Sequence, residues 1–199
     1  MSLLLAYEAL GSGGIPDTRT YKPTVHGLQE WLDVVGVRFF SAIEACQANH
    51  FRRAADLGYT NGLLVPPTTH WPALGATLLL ADVCRSAVNP RPGPPGVKLR
   101  NAWRPEDYNA AVGGAADSDH IYALGVDLDF KREHHARLAE GAVRALHDRI
   151  PDLGLSLGVG RRTLHVGLLT DRGTRTWAYD VYKTPFRRLF TLPLRPPSA

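Results

Sequence analysis

RNAWRPEDYNAAVGGAADSDHIYALGVDLDF, residues 100–130, is the stretch on which the reading of this chain turns. Its last part, Val126-Asp127-Leu128-Asp129-Phe130, alternates apolar and acidic residues. Alternation with a period of two is the mark of a strand, with Val126, Leu128 and Phe130 on one face and Asp127 and Asp129 on the other. His120 stands before Asp127 with six residues between them, Gly125 among these. A loop carrying His120 that returns into a strand carrying Asp127 can bring an imidazole nitrogen and a carboxylate oxygen together. Zinc accepts both donors and needs one or two more.

Around that pair the chain reads Arg104-Pro105, Tyr108-Asn109, Val112-Gly113-Gly114-Ala115, Ser118-x-His120, Gly125 and Asp127. In this order and spacing it resembles the M15 family of zinc peptidases, the D-Ala-D-Ala carboxypeptidases and peptidoglycan endopeptidases of the Hedgehog/DD-peptidase fold. The resemblance implies an α+β domain over residues 38–182, with a small, mostly antiparallel sheet carrying a zinc site and helices packed on one face. Residues 1–37 then form a leader of unknown role, and residues 183–199 a Pro-rich tail.

In such a family the third ligand is a His on a strand shortly before a Trp-containing strand. His165, ahead of Trp177, meets both conditions. The implied metal set is His120, Asp127 and His165 with one zinc per chain. Three protein ligands and a water in the fourth position make a catalytic site, and the water is the nucleophile of amide hydrolysis. The same donors also suit manganese or iron. Arg104 holds a substrate carboxylate or steadies the oxyanion; its competing use is an ion pair with Glu106 or Asp107. Ser118 and Asp129 are the candidates to orient the imidazoles by hydrogen bonding.

The chain departs from the family pattern in three places. Asn101-Ala102-Trp103 precedes Arg104 where relatives commonly read Ser-Gly-Tyr. His165-Val166-Gly167 replaces a common His-x-Asp. Arg162 and Thr163 stand where relatives carry an acid three residues before the last His, or a His two before it. Hydrolysis needs a group to take the water's proton and return it to the leaving amine, and an arginine cannot do this near neutral pH. Asp171 and Asp129 are possible replacements. Two functions therefore stand: a zinc peptidase acting on peptidoglycan stem peptides, of phage, lysis or secreted-effector type, or a catalytically impaired M15-like domain that binds a peptide or plays a structural part.

Length and composition set wider bounds. The 199 residues are 44% hydrophobic and 21% charged, enough for one domain with a core. No apolar run approaches the ~20 residues of a membrane span. MSLLLAYEALGSGG has no basic start and is interrupted by Glu8, so no signal peptide is read. The chain is expected in the cytoplasm as synthesised, reaching the wall by lysis or a dedicated export route. The formal net charge is +4 and the isoelectric point about 9.3, which suits an acidic wall. No basic-aromatic interleaving points to nucleic acid. Oligomeric state is not legible.

The remaining segments read as scaffold. VHGLQEWLDVVG, from Val25, makes an amphipathic helix through Val25, Leu28, Leu32 and Val35. Residues 39–58 read as one helix, capped by Ser41 with Glu44 and ended by Gly58. Pro72 opens a helix that runs to 88. Residues 97–103 read as a strand, 131–150 as a helix using Ala139, Val143, Leu146 and Ile150, and 155–157, 163–168 and 174–179 as strands. Cys46 and Cys84 are expected as buried free thiols. His50, His70 and His147 lack ligand partners, and the adjacent His134 and His135 point about 100° apart on a helix, so they do not share a metal.

Overall fold

The alternation of Val126 to Phe130 becomes an inner strand of a five-stranded sheet. In this computed structural model residues 6–8, 10–12, 14–89, 96–168 and 174–179 are described. The strands are β1 (Val97–Asn101), β2 (Gly125–Phe130), β3 (Ser156–Val159), β4 (Thr163–Gly167) and β5 (Arg175–Ala178). They lie in the order β1-β2-β4-β3-β5. Every pairing is antiparallel except β3 with β5, which is parallel. The sheet is thus mixed and mostly antiparallel.

Register places the chemistry. Asp127 of β2 lies opposite His165 of β4, and directly opposed residues share a face. A bulge between Leu99 and Asn101 brings Asn101 opposite Asp127 as well. Val126 and Leu128 point the other way and are fully buried, with Leu164 and Val166 beside them.

The helices around the sheet are α1 (Val25–Val35), α2 (Ala42–Cys46), α3 (Phe51–Asp56), α4 (Trp71–Val88), α5 (Glu106–Ala111) and α6 (Glu133–Arg149). Helices α4 and α6 pack on each other and both lie against β2 and β4. Helix α4 is apolar almost all round, as a helix enclosed between other elements must be, and buries Leu74, Leu78, Leu80 and Cys84. Trp31 of α1 packs at 5.9 Å from Trp71 of α4, so α1 shares that core. No described helix is long and apolar enough to cross a membrane.

One expected helix is divided. Residues 39–58 form α2 and α3 with an extended break between them. The Ser41 capping box is present, with the Glu44 side chain accepting a hydrogen bond from Ser41 N–H. The helix then stops because Gln47 pairs as a β-bridge with Leu63, and Leu64 N–H donates to Cys46 O at 2.7 Å. These tertiary hydrogen bonds override a local helical preference. Cys46 and Cys84 are buried free thiols.

Candidate metal centre

The loop from Gly113 to Leu124 carries His120 to the sheet, and main-chain bonds fix it there. Arg104 N–H donates to His120 O at 3.0 Å, and Trp103 Nε1 donates to Ile121 O at 3.0 Å. From the other side Thr77 of α4 donates to Ala123 O at 3.1 Å. The loop is thereby tied to the end of β1 and to the principal core helix.

His120, Asp127 and His165 converge. One ligand atom from each lies within 4.8 Å of the others. Asp127 Oδ1 is 3.3 Å from His120 Nε2 and 2.9 Å from His165 Nδ1, while Asn101 Nδ2 donates to Oδ2 at 3.0 Å. The two rings stand edge to face, 5.0 Å between centroids. His120 Nδ1 is 2.7 Å from Ala102 O. A carbonyl only accepts, so Nδ1 carries the proton and Nε2 presents its lone pair towards Asp127.

A residue not anticipated from the sequence completes the arrangement. Asp119 is 8% exposed, and its Oδ2 lies 3.4 Å from His165 Nε2, on the side of the ring away from Asp127. Ser156 Oγ donates to the same oxygen at 2.7 Å, and Arg175 reaches both carboxylate oxygens at 2.7 Å. A carboxylate behind a histidine fixes the ring and raises the basicity of the nitrogen in front. Only its place beside His120 signals Asp119 in the sequence; its partner Arg175 lies 56 residues further on.

The electrostatics agree with a site built for positive charge. Burial works against the charge of Asp119, yet hydrogen bonds from His165, Ser156 and Arg175 prevail and hold its carboxyl at about 2. Burial likewise opposes ionisation of Asp127, but His120 and His165 keep it well below the usual carboxylate range. Burial disfavours a charged His165, and hydrogen bonds to Asp119 and Asp127 outweigh it, so its proton is held more tightly than usual. For His120 burial outweighs the pull of Asp127, and its hold on a second proton is weakened. Two imidazoles around one deeply ionised carboxylate are a donor set that a divalent cation fits.

Two glycines make this packing possible. A Cβ at Gly125 would sit 2.7 Å from His165 Cε1 and 2.9 Å from Asp119 Cβ. At Gly167 it would meet Ser156 Oγ, Leu124 O at 2.7 Å and Asp119 Oδ2 at 3.2 Å. The space into which an acid at position 167 would project is therefore filled by the Ser156 hydroxyl of β3 and by Leu124 O and the Asp119 carboxylate of the loop.

The other expected site residues fall at different distances from this centre. Arg104 lines the cavity of about 490 Å³ in front of His120, Asp127 and His165, which Trp177 and Tyr179 also border. Its Nε is buried without a hydrogen-bond partner among the described residues. Burial weakens its hold on the proton and Asp127 opposes that effect. Ser118 borders the same cavity and accepts a long 3.4 Å contact from His120 N–H. Asp129 faces Arg100 at 3.8 Å instead of an imidazole. Thr163 lies opposite Asp129 and Arg162 is exposed. Asp171 lies outside the described residues.

Residues 86–166 match the family model of Peptidase M15. The matched segment holds all three converging donors and Arg104. Over these residues the chain is similar to Peptidase M15, and that likeness together with the His120, Asp127 and His165 cluster suggests a metallopeptidase. Comparison with curated proteins and with solved structures gave no match.

Proposed function

We propose that this chain is a zinc-dependent peptidase that hydrolyses amide bonds in peptidoglycan stem peptides. The observation that carries the reading is the convergence of His120, Asp127 and His165 beneath an Arg104-lined cavity, inside a segment matching Peptidase M15. Zinc, when bound, polarises the scissile carbonyl and makes water acidic enough to attack at neutral pH. The protein's own groups do the rest. Arg104, at the cavity wall, offers its guanidinium to a substrate carboxylate or to the oxygen that gains charge in the transition state. Asp119, Ser156 and Arg175 hold the His165 ring, and the Ala102 carbonyl holds that of His120. Trp177 packs beside His165 at 5.1 Å and shields it from water.

Proton transfer needs a group other than Arg162 and Thr163. Of the acids bordering the cavity, Asp127 is committed to the imidazoles and Asp119 to Arg175 and Ser156. Asp117, which has interactions of its own, borders the same cavity from an exposed position and is our candidate to take the proton of the attacking water and pass it to the leaving amine. Such help is typically worth ~10²–10⁴-fold in rate. The absence of an acid at 162 and 163 favours a second reading, in which the cavity binds a peptide without turning it over.

The test is release of amino acids or peptides from purified muropeptides, with zinc supplied, by the native chain and by His120→Ala. Turnover confined to the native chain supports the peptidase. Equal silence in both, with tight binding of the same muropeptide to the native chain, would contradict it and establish the binding reading.

A further inference from the structure

The chain's charge is unevenly placed. Beyond the metal centre the same face of the sheet runs towards the far ends of β1, β2 and β4. Lys98 lies opposite Asp129, and Asp129 opposite Thr163, so one line across the sheet leads from β1 to β4. The next turns are stitched to that line: Phe130 N–H donates to Arg162 O at 2.7 Å, and Lys131 N–H to Gly96 O at 3.1 Å. Six cations gather here, Lys98, Arg100, Lys131, Arg132, Arg161 and Arg162, and all six are exposed.

The facing acids are few. Asp129 answers Arg100 at 3.8 Å and Glu133 answers Arg161 at 3.1 Å. Exposed pairs of this kind neutralise locally but hold little energy. Six cations against two acids leave an excess equal to the formal net charge of +4 of the entire chain. Like charges held together on exposed backbone repel one another, and a flexible polyanion relieves that repulsion while releasing its own counterions.

The rim also says which polyanion. Among the described residues the exposed ring beside it is Tyr179, which borders the cavity of Arg100 at its edge, while Phe130, the one aromatic ring of the strand, is buried at 4% exposure. Single-stranded nucleic acid is held by stacking on aromatic rings as well as by charge. A rim of six guanidinium and ammonium groups with a single ring at its edge, and no row of rings to stack successive bases, suits a polymer that offers phosphates and no bases.

We propose that this cationic rim is a docking surface for a linear polyol-phosphate polymer of the kind that makes a cell wall acidic, holding the chain on its substrate layer with the metal-bearing cavity alongside. Arg100, shared between the rim and a second cavity of about 330 Å³ that also includes Arg104 and Asp127, joins the two regions. The docking stands apart from the peptidase reading, because it needs neither metal nor turnover.

The test measures binding of the full chain to poly(glycerol phosphate) by sedimentation at several salt concentrations. A single-stranded oligonucleotide of equal phosphate count serves as the comparison. The variant Lys131→Glu with Arg162→Glu reverses two exposed rim charges and brings the rim excess to zero. The control Lys22→Glu with Arg149→Glu makes the same change in net charge; Arg149 lies ~24 Å from the rim at the other end of α6. Affinity that falls steeply with salt, drops at least tenfold in the rim variant and stays within about threefold in the control is the expected result. Absence of binding at low salt, or equal losses in both variants, would overturn the proposal. So would clearly tighter binding of the oligonucleotide, which would make the rim a nucleic-acid surface.

Discussion

Asp127 and Leu128 are neighbours in one strand and belong to different parts of the molecule. Leu128 points into a core closed by α4 and α6 and is fully buried among Val126, Leu164 and Val166. Asp127 points to the opposite face, where Asn101, His120 and His165 each spend a polar atom on it. The inner face is held by area removed from water, which is non-directional and tolerates exchange of one apolar shape for another. The outer face is held by directed hydrogen bonds around a buried charge, where each member specifies the position of the next. Stability is therefore expected to reside on one face and metal affinity on the other.

Leu128→Ala gives the largest expected effect on the inner side. It should lower unfolding free energy by ~2–5 kcal/mol, the usual cost of a Leu cavity in a packed core. Denaturant titration reads the loss, and metal content of the remaining folded protein should be unchanged. A loss of metal together with stability would mean that the two faces are not separable. Asp119→Asn sharpens the outer side. It keeps the shape but removes the charge behind His165, and should weaken metal binding ~10–100-fold. Competition with a fluorescent chelator measures this, and an affinity unchanged from the native chain would exclude Asp119 as a positioning residue. The smallest effect concerns Cys46 and Cys84. Burial pushes both thiols up to about 12. They should stay unmodified by a thiol reagent at neutral pH until denaturant is added; rapid labelling of the native chain would show that the core around α2 and α4 opens readily.

Much of this division is legible in the sequence. The alternation of Val126 to Phe130 separates the two faces of β2, and the spacing from Arg104 to Asp127 carries the family resemblance. The apolar run behind Pro72 marks α4. What cannot be read has a common cause, in contacts between residues distant in the chain. The break between α2 and α3 depends on Gln47 meeting Leu63. Asp119 acquires its role from Ser156, His165 and Arg175, none of them near it in sequence. The glycine at 167, which reads as a missing acid, is explained by the Ser156 hydroxyl and the Asp119 carboxylate that fill its space. Asp129, by contrast, shares the face of Asp127 by strand periodicity, yet two residues along a strand carry it ~7 Å away, to Arg100.

The central claim is that His120, Asp127 and His165 together hold one divalent metal ion. Elemental analysis of untagged protein, offered zinc and then dialysed, tests it most directly when His165→Ala is carried through the same steps. The account predicts one zinc per chain in the native protein and none in the variant, with circular dichroism showing both folded. Metal absent from the native chain, or retained equally by the folded variant, would contradict it.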